Sequence, residues 1–385
     1  MHTPGSIEDQ VSVSIPSEKC LIVGNLVSKE FPNMFPLVGL TGSVDVLKWV
    51  SSVRKLLWKF PEPKHLLSST NTVIDDRLKT RQTMIKFADS IQFVHDQTVR
   101  LLNDGYEVDE VINRIKRIGL PISGDLISQT NGDLEWAVRA VVNFYLGWFK
   151  GYIDQLFPLS HSKKIKYLNE LLTGRYRNKG WVRMYNRARI GLHRSNRHRD
   201  TKNGTAILDE LTWSLQLSMW AAEISGAKKA IKLTNQVVDA LIQARSKNKL
   251  AKNVYTFFVN RCIFEEKIVN FNANQHLPTE QLLKVLPLRY RAEKCDPTFE
   301  MKIFIELSNN DNIIETGFIL RHCIVEKIDA KVYSGSYNLH MQTTSNVFRK
   351  VLMRKIIVDA ISNSQVILKS GTVNDLKLFI SFFDP

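Results

Sequence analysis

The chain has 385 residues and a formal net charge of +15, and its 44% hydrophobic and 24% charged residues are typical of a globular protein with two or three cores. No apolar run approaches the roughly 20 residues that a membrane-spanning helix needs, and Met1–Gln10 lacks the hydrophobic core of a secretory signal. These features argue against an integral membrane protein and a secreted protein, and we expect a cytoplasmic location.

The first 80 residues alternate short apolar runs with turn signals. Val11–Ile15 and Cys20–Gly24 are predicted strands, joined by a tight turn at Pro16. An amphipathic helix follows over Asp45–Leu57, and Leu66 and its neighbour Leu67 end a short buried strand. This order predicts part of an α/β layer that is too small to close a sheet on both faces.

The next segment, residues 80–265, is predicted to be almost entirely helical. Side chains recur at helical spacing in its first helix at Phe87, Ile91, Val94, Thr98 and Leu101. Gly105 ends this helix, and Asp96 and Arg100 are spaced to pair on its surface. Further helices are predicted over Glu107–Ile115, Trp136–Phe149, Leu208–Ala244 with a break near Ser225-Gly226, and Lys249–Phe258. Antiparallel helices of this kind build bundles or short repeat arrays.

Much of the positive charge lies in the segment Arg175–Lys202, which contains ten Lys and Arg residues and one acidic residue, Asp200. The aromatic residues Tyr176, Trp181 and Tyr185 are interleaved with these charges. Such a segment can hold RNA, DNA or an anionic membrane through counterion release and stacking. No recognised nucleic-acid-binding fold surrounds it, so a solvated, mobile insertion is the favoured interpretation.

The last 110 residues change character and predict an α+β domain. The predicted elements are strands over Phe299–Leu307, Thr316–Ile324 and Asn338–Thr343, a helix over Val347–Ile361, a strand over Val366–Lys369 and a helix over Asn374–Phe383.

The four cysteines, Cys20, Cys262, Cys295 and Cys323, lie far apart and form no Cys-x-x-Cys pair. We expect reduced, buried thiols rather than a disulfide framework.

The helix that contains His95–Asn103 and the following Gly105-Tyr106 resembles a signature of the linear alkylsulfatases of the metallo-β-lactamase superfamily. Trp136–Ala140 and Tyr145–Phe149 are similar to two further motifs of that family, and Ser370–Phe379 is similar to its last elements. The resemblance implies a mixed fold with three parts: a remnant of a metallo-β-lactamase-like α/β domain in 1–80, an all-α helical dimerisation domain in 81–268 with a basic insertion at 175–205, and an α+β sterol-carrier-protein-like domain in 275–385.

The family uses two zinc ions to hydrolyse sulfate esters, and the resemblance allows its ligand positions to be checked. The His-x-His-x-Asp-His signature is absent, and the other ligand positions that can be aligned are occupied by Ser6, Asn25 and Thr70. These residue types are poor zinc ligands. We therefore expect no zinc cofactor and no catalytic residues, although the retained Arg139 and Tyr145 are candidates for anion binding.

Three hypotheses follow. The first is a catalytically degenerate alkylsulfatase-family protein that forms a homodimer through its helical domain and binds an apolar or alkyl ligand in its C-terminal domain. The second is a zinc-dependent linear primary alkylsulfatase whose catalytic half is missing from a truncated chain or is completed by a partner. The third is an anion- or RNA-binding protein that acts through Arg175–Lys202.

Overall fold

The computed structural model divides the chain into two compact units, Met1–Gly147 with Phe271–Pro385 and Trp148–Asn270. The structure describes residues 1–34, 45–69, 73–122, 132–148, 156–164, 167, 180–197, 204–244, 277–309, 312–329, 333, 335–354, 361 and 363–383. The predicted mixture of helical and sheet segments is confirmed. The compact units do not follow the boundaries 1–80, 81–268 and 275–385, because one core contains side chains from both ends of the chain. The three family domains therefore stay a prediction.

The first unit opens with a sheet in the order β1-β2-β3-β4. Its strands are β1 (Val13–Ile15), β2 (Cys20–Gly24), β3 (His65–Ser68) and β4 (Val73–Asp75). The pair β2 and β3 is parallel, whereas the outer pairs are antiparallel. The strands predicted around Val13, Cys20 and Leu66 are confirmed. Strand β4 was not predicted, because a run of three residues carries too little periodicity.

Helix α1 (Val46–Lys59) supplies the parallel crossover between β2 and β3, and begins where predicted. The Asp45 side chain caps it by accepting hydrogen bonds from the backbone N–H groups of Leu47 and Lys48, each at 3.1 Å. Trp49, on its buried face, packs against Phe87 with the ring centroids 5.8 Å apart. This contact places the small sheet and α1 on the long helix that follows.

That long helix is α2 (Arg77–Asn103), followed by α3 (Val108–Ile118) and α4 (Leu134–Leu146). Asp76 and Asp133 cap α2 and α4 by accepting from backbone N–H groups in the first turn. The three predicted helices are confirmed, with ends that differ by a few residues. Helix α2 is buried around much of its circumference, so polar side chains in its middle must find partners inside the protein.

The C-terminal part of this unit contains a sheet in the order β7-β6-β5-β8-β9. The described elements of this C-terminal part are, in chain order, α8 (Thr279–Val285), β5 (Met301–Asn309), β6 (Asn312–Arg321), β7 (Ile324–Ile328), β8 (Leu339–Thr344), α9 (Ser345–Leu352), β9 (Val366–Ser370) and α10 (Val373–Ser381). Side chains of β5 alternate between buried and half-buried, as the pattern predicted. Strand β7 was missed because the His322-Cys323 turn before it contains none of the residues that mark a hairpin.

The second unit contains α5 (Trp181–Arg197), α6 (Gly204–Ser225) and α7 (Lys228–Ala244). The predicted break near Ser225-Gly226 is confirmed, since Gly226 adopts a φ of 59° between α6 and α7. The predicted helix over Lys249–Phe258 lies outside the described residues. No helix of the described chain is long and apolar enough to cross a membrane.

The prediction of a solvated insertion over residues 175–205 is wrong for the face of α5 that carries Arg187. The Arg187 side chain on this helix is only 2% exposed and forms an ion pair with Glu210 of α6. A cationic helix can pack inside a protein when its charges find carboxylate partners and its aliphatic stems contact apolar neighbours. One face of α5, with Arg187, Ala188 and Leu192, is therefore buried in the second unit, whereas Arg189 and Arg194 are exposed.

The prediction that the cysteines are all reduced is also wrong for one pair. Cys295 and Cys323 form a disulfide, with their Cα atoms 5.5 Å apart. The two cysteines are 28 residues apart in the chain, so no short cysteine motif indicated the pair. Cys20 is a free, buried thiol as predicted, and Cys262 lies outside the described residues.

Candidate functional site

The carboxyl ends of the parallel strands β2 and β3 bring two of the aligned ligand segments together. The Gly24 carbonyl accepts hydrogen bonds from the Ser68 hydroxyl at 2.9 Å and from the Ser69 backbone N–H at 3.1 Å. Beyond it, the Ser69 hydroxyl donates to the Asn25 side-chain oxygen. Asn25 therefore lies beside the segment that leads to Thr70, which itself lies outside the described residues.

The N-terminal loop lies next to the same strand end. The Gln10 side-chain amide donates to the Val23 carbonyl at 2.7 Å. Gly5 lies so close to the residue after Asn25 that a Cβ at this position would be 2.9 Å from Leu26 Cδ1. Ser6, which follows Gly5, has a buried hydroxyl with no hydrogen-bond partner in the described part of the chain. The structure thus brings the loop with Ser6 and the strand end with Asn25 into contact.

Glu8, which lies two residues after Ser6 in the chain, does not replace a lost ligand. Its carboxylate is largely exposed and accepts from the Lys48 ammonium at 3.1 Å. The pKa of Lys48 is raised, first by this hydrogen bond and then by the charge of Glu8. The Glu8 carboxylate therefore forms a surface ion pair with Lys48.

These donors do not fit zinc. Zinc sites in proteins use thiolate, imidazole or carboxylate groups, and a two-zinc site needs several negative charges to balance the metal. Ser6, Asn25 and Ser69 offer two neutral hydroxyls and one neutral amide. Among the described residues no group of three or more His, Cys, Asp and Glu side chains is arranged to hold a metal ion. The donors at this edge therefore do not suit a two-zinc centre.

A hydrogen-bonded chain extends from α2 to the end of α4. His95 Nδ1 lies 2.7 Å from Asp96 Oδ1, and His95 Nε2 lies 2.7 Å from the Tyr145 hydroxyl. Because an ionised carboxylate can only accept, a neutral His95 donates from Nδ1 and accepts the Tyr145 hydroxyl at Nε2. Gln92 donates to the other Asp96 oxygen at 2.9 Å. This geometry fits a contact between two helices.

The predicted pair of Asp96 and Arg100 is wrong, although the two residues have suitable spacing. Asp96 accepts from Gln92 and His95, while Arg100 Nη2 donates to Glu293 at 2.5 Å and Arg100 Nε donates to Gln97 at 3.1 Å. Arg100 Nη1 also lies 3.4 Å from Asp104, four residues further on, so that Glu293 is the distant partner of Arg100, while Asp96 pairs with residues of α2 itself.

The two candidate anion-binding residues on α4 contact different neighbours. Arg139 donates to Glu135 at 2.9 Å and lies 3.6 Å from Asp109 of α3, so two carboxylates share its charge. Tyr145 faces α2 instead, and partial burial, with smaller contributions from Asp45 and Asp96, raises the pKa of its phenol. It is a protonated donor engaged with His95. Anion binding by this pair stays a prediction.

Sequence reasoning missed a buried charged cluster in this unit, which we call the Asp89 cluster: Asp89, Arg54, Arg321, His322 and Glu326. Asp89 has no exposed surface and contacts Arg54 at 3.1 Å, Arg321 at 2.8 Å and His322 at 2.9 Å. Glu326 completes it by contacting Arg54 at 2.8 Å and Arg321 at 2.6 Å. The cluster joins α1, α2 and the β6–β7 hairpin.

The electrostatics of the Asp89 cluster favour the charged forms of Asp89 and Arg321. Burial by itself would raise the pKa of Asp89, but Arg321, the hydrogen bond from His322 and Arg54 together lower it to about 2. The pKa of Arg321 is raised, because Asp89 and Glu326 outweigh the effect of burial. No sequence signal identifies this group, since its members are scattered over more than 270 positions of the chain, from Arg54 to Glu326.

Comparison with known proteins finds alkylsulfatases. The chain is 28% identical over 180 residues to a linear primary-alkylsulfatase of Pseudomonas sp. (strain ATCC 19151), covering 46% of this chain and 33% of the relative. It is 25% identical over 169 residues to the alkyl/aryl-sulfatase BDS1 of Saccharomyces cerevisiae, covering 42% of this chain and 26% of that protein. No protein-family model matches. The matched regions therefore span about a third or less of each relative's length.

Solved structures that align with this chain are also those of an alkylsulfatase. The stereoselective inverting sec-alkylsulfatase Pisa1 from Pseudomonas sp. aligns with 100% of this chain and 58% of its own, at 16% identity and a TM-score of 0.43. A double mutant of the same enzyme aligns with the same coverage, at a TM-score of 0.41.

Proposed function

From the premise that this chain is a relative of the alkylsulfatases along nearly half of its length, we propose that it is a catalytically degenerate member of that family which acts as a scaffold. The observation that carries the proposal is the contact between the Asn25 amide and the Ser69 hydroxyl at the end of β2 and β3. At the aligned ligand position Asn25, a neutral amide hydrogen-bonds a neighbouring hydroxyl, whereas zinc would require anionic or imidazole ligands.

The chemistry of sulfate ester hydrolysis explains why neutral residues at the ligand positions would abolish turnover. Two zinc ions polarise the ester and supply hydroxide near neutral pH when protein ligands hold them. An amide or hydroxyl contributes no negative charge, so the electrostatic attraction that retains the metal is lost. Retention of Tyr145 and His95 does not compensate, because their hydrogen bonds are made to each other and to Asp96.

The proposed scaffold has the three parts that the resemblance implies. Residues 1–80 are the remnant of the zinc domain, residues 81–268 form the helical dimerisation domain of a homodimer, and residues 275–385 form a sterol-carrier-protein-like domain for an apolar or alkyl ligand. The first part is supported by the small sheet and its single crossover helix α1. The homodimer and the apolar ligand rest on the resemblance alone.

A second candidate is a zinc-dependent linear primary alkylsulfatase, which is favoured by the Pseudomonas relative named above. It requires zinc ligands from another polypeptide or from sequence beyond this chain. Anion or RNA binding through Arg175–Lys202 is less well supported, because Arg187 in the middle of the segment is buried against Glu210.

The test is sulfate release from dodecyl sulfate by the purified protein in excess zinc, together with direct measurement of bound zinc. We expect no release above the protein-free rate and less than one tightly bound zinc per chain. Zinc-dependent release would contradict the proposal. In that case, the double variant Asn25→Ala/Ser69→Ala is compared with the parent protein. Sulfate release falls in the variant only if the reaction takes place at the end of β2 and β3.

A further inference from the structure

The turn between β6 and β7 has a backbone that its residues disfavour. His322 and Cys323 connect the two strands directly and have φ angles of 45° and 55°. A two-residue hairpin turn with both residues in the left-handed region normally uses Asn, Asp or Gly. Other side chains are strained there, because their Cβ atom comes too close to the following carbonyl oxygen. Something else must therefore hold this turn.

Each turn residue is held through its side chain. His322 Nδ1 lies 2.9 Å from the carboxylate of Asp89 in the Asp89 cluster. Cys323 is 2% exposed and is bonded to Cys295, 28 residues earlier. The hydrogen bond and the covalent bond together compensate for the unfavourable backbone.

The disulfide also joins two separate contacts between C-terminal residues and α2. On the Cys323 side, Arg321 binds Asp89 on α2. On the Cys295 side, the Gln97 amide donates to the Tyr290 carbonyl at 2.9 Å, and Arg100 donates to Glu293. Breaking the disulfide would therefore leave the two contacts to α2 without their covalent link.

We propose that the Cys295–Cys323 disulfide is a redox-sensitive clasp that holds the His322-Cys323 turn against α2. The attacking species is a dithiol reductant, whose thiolate bonds to one sulfur and displaces the other as a thiolate that takes up a proton. The second thiol of the reductant then releases the remaining cysteine. The reductant becomes a disulfide, and the protein gains two electrons and two protons as two thiols.

Reduction removes one of the two restraints on the turn. The backbone then relaxes from the left-handed region, and the hydrogen bond between His322 and Asp89 weakens. Attack begins at Cys295, which is half-buried between the exposed residues Lys294 and Asp296, whereas Cys323 is buried. This device is independent of whether the protein hydrolyses any ester.

The test starts with peptide mapping of the unreduced full chain, which should yield a peptide pair joined through Cys295 and Cys323. Thermal unfolding with and without dithiothreitol should then show a Tm about 5 °C or more lower in the reduced protein. Hydrogen exchange should become faster at residues 319–326 and on the facing turn of α2. Equal Tm values, or absence of the linked peptide, would overturn the proposal.

Variants separate the clasp from general thiol effects. Cys20→Ser is the matched control, because it removes a buried free thiol and should leave the response to dithiothreitol intact. Cys295→Ser should unfold near the reduced Tm and should not respond to dithiothreitol. Adding Cys323→Gly to Cys295→Ser relieves the backbone strain at position 323, keeps the hydrogen bond between His322 and Asp89, and should recover part of the lost Tm. Failure of this added substitution to recover any stability would show that the turn is not the strained element.

Discussion

The first unit contains two concentrations of polar side chains, and they have opposite characters. The edge at the ends of β2 and β3 combines neutral groups, Asn25 and Ser69, in an exposed position. The Asp89 cluster combines five ionisable groups at a buried position between three elements. Charge is concentrated where it joins elements of the fold, and it is absent from the contact between Asn25 and Ser69 at the exposed edge.

This difference follows from the cost of burying charge. At the exposed position of Asn25, a neutral side chain leaves no uncompensated charge inside the protein. Within the Asp89 cluster, removing one partner leaves a charge without compensation in a poorly solvated position. We therefore expect the two regions to respond very differently to substitution.

The largest effect should come from Asp89→Asn, which retains the shape of the side chain and removes its charge. Arg54 and Arg321 would then share only Glu326, and unfolding free energy should fall by about 3–5 kcal/mol. Urea unfolding measures this loss, and Asp109→Asn, at an exposed carboxylate on α3, is the matched control. A loss below about 1 kcal/mol would show that the cluster does not support the fold.

A smaller effect should appear in acid. The pKa of Asp89 is about 2 in the folded protein and has an ordinary value of 3.8. A lowered pKa stabilises the fold above about pH 4, and this stabilisation is lost as the pH falls from about 4 to about 2, by about 2 kcal/mol. Comparing urea unfolding of the parent protein and Asp89→Asn at about pH 5 and about pH 3 isolates this component. If the two proteins lose the same stability between these pH values, then Asp89 is not responsible.

The smallest effect should come from Asn25→Ala at the β2–β3 edge. Its side chain is exposed and contacts a hydroxyl, so the free energy of unfolding should change by less than about 0.5 kcal/mol. Ser69→Ala removes the other member of the same contact and should behave alike. A loss above about 2 kcal/mol in either variant would mean that this edge supports the fold, as the Asp89 cluster does.

Much of the fold was predictable from local patterns. The alternation in β5, the helical spacing around Phe87 and the break near Gly226 each describe one face or one end of an element, and the structure agrees with each. Strand β7 was not predictable in this way, since the His322-Cys323 turn is stabilised by distant side chains rather than by residues suited to a hairpin. The predicted pairing of Asp96 with Arg100 failed because Asp96 accepts from Gln92 on the same helix, while Arg100 donates to the distant Glu293.

The candidate site was also only partly predictable from the sequence. The alignment with a family motif shows that Ser6 and Asn25 occupy ligand positions, and that both side chains are neutral is known without coordinates. Their adjacency at one strand end depends on the parallel pairing of β2 with β3 and on the packing of Gly5 against Leu26.

The sequence by itself determined much of the secondary structure, the relationship to alkylsulfatases and the residue types at the aligned ligand positions, because each of these depends on residues close together along the chain. Only the tertiary structure decided that α5 is part of a core, that Cys295 meets Cys323, and that Asp89 is compensated by Arg54 and Arg321. Each of these contacts joins residues far apart in the chain. Their energies depend on burial and on partner geometry, which local spacing does not specify.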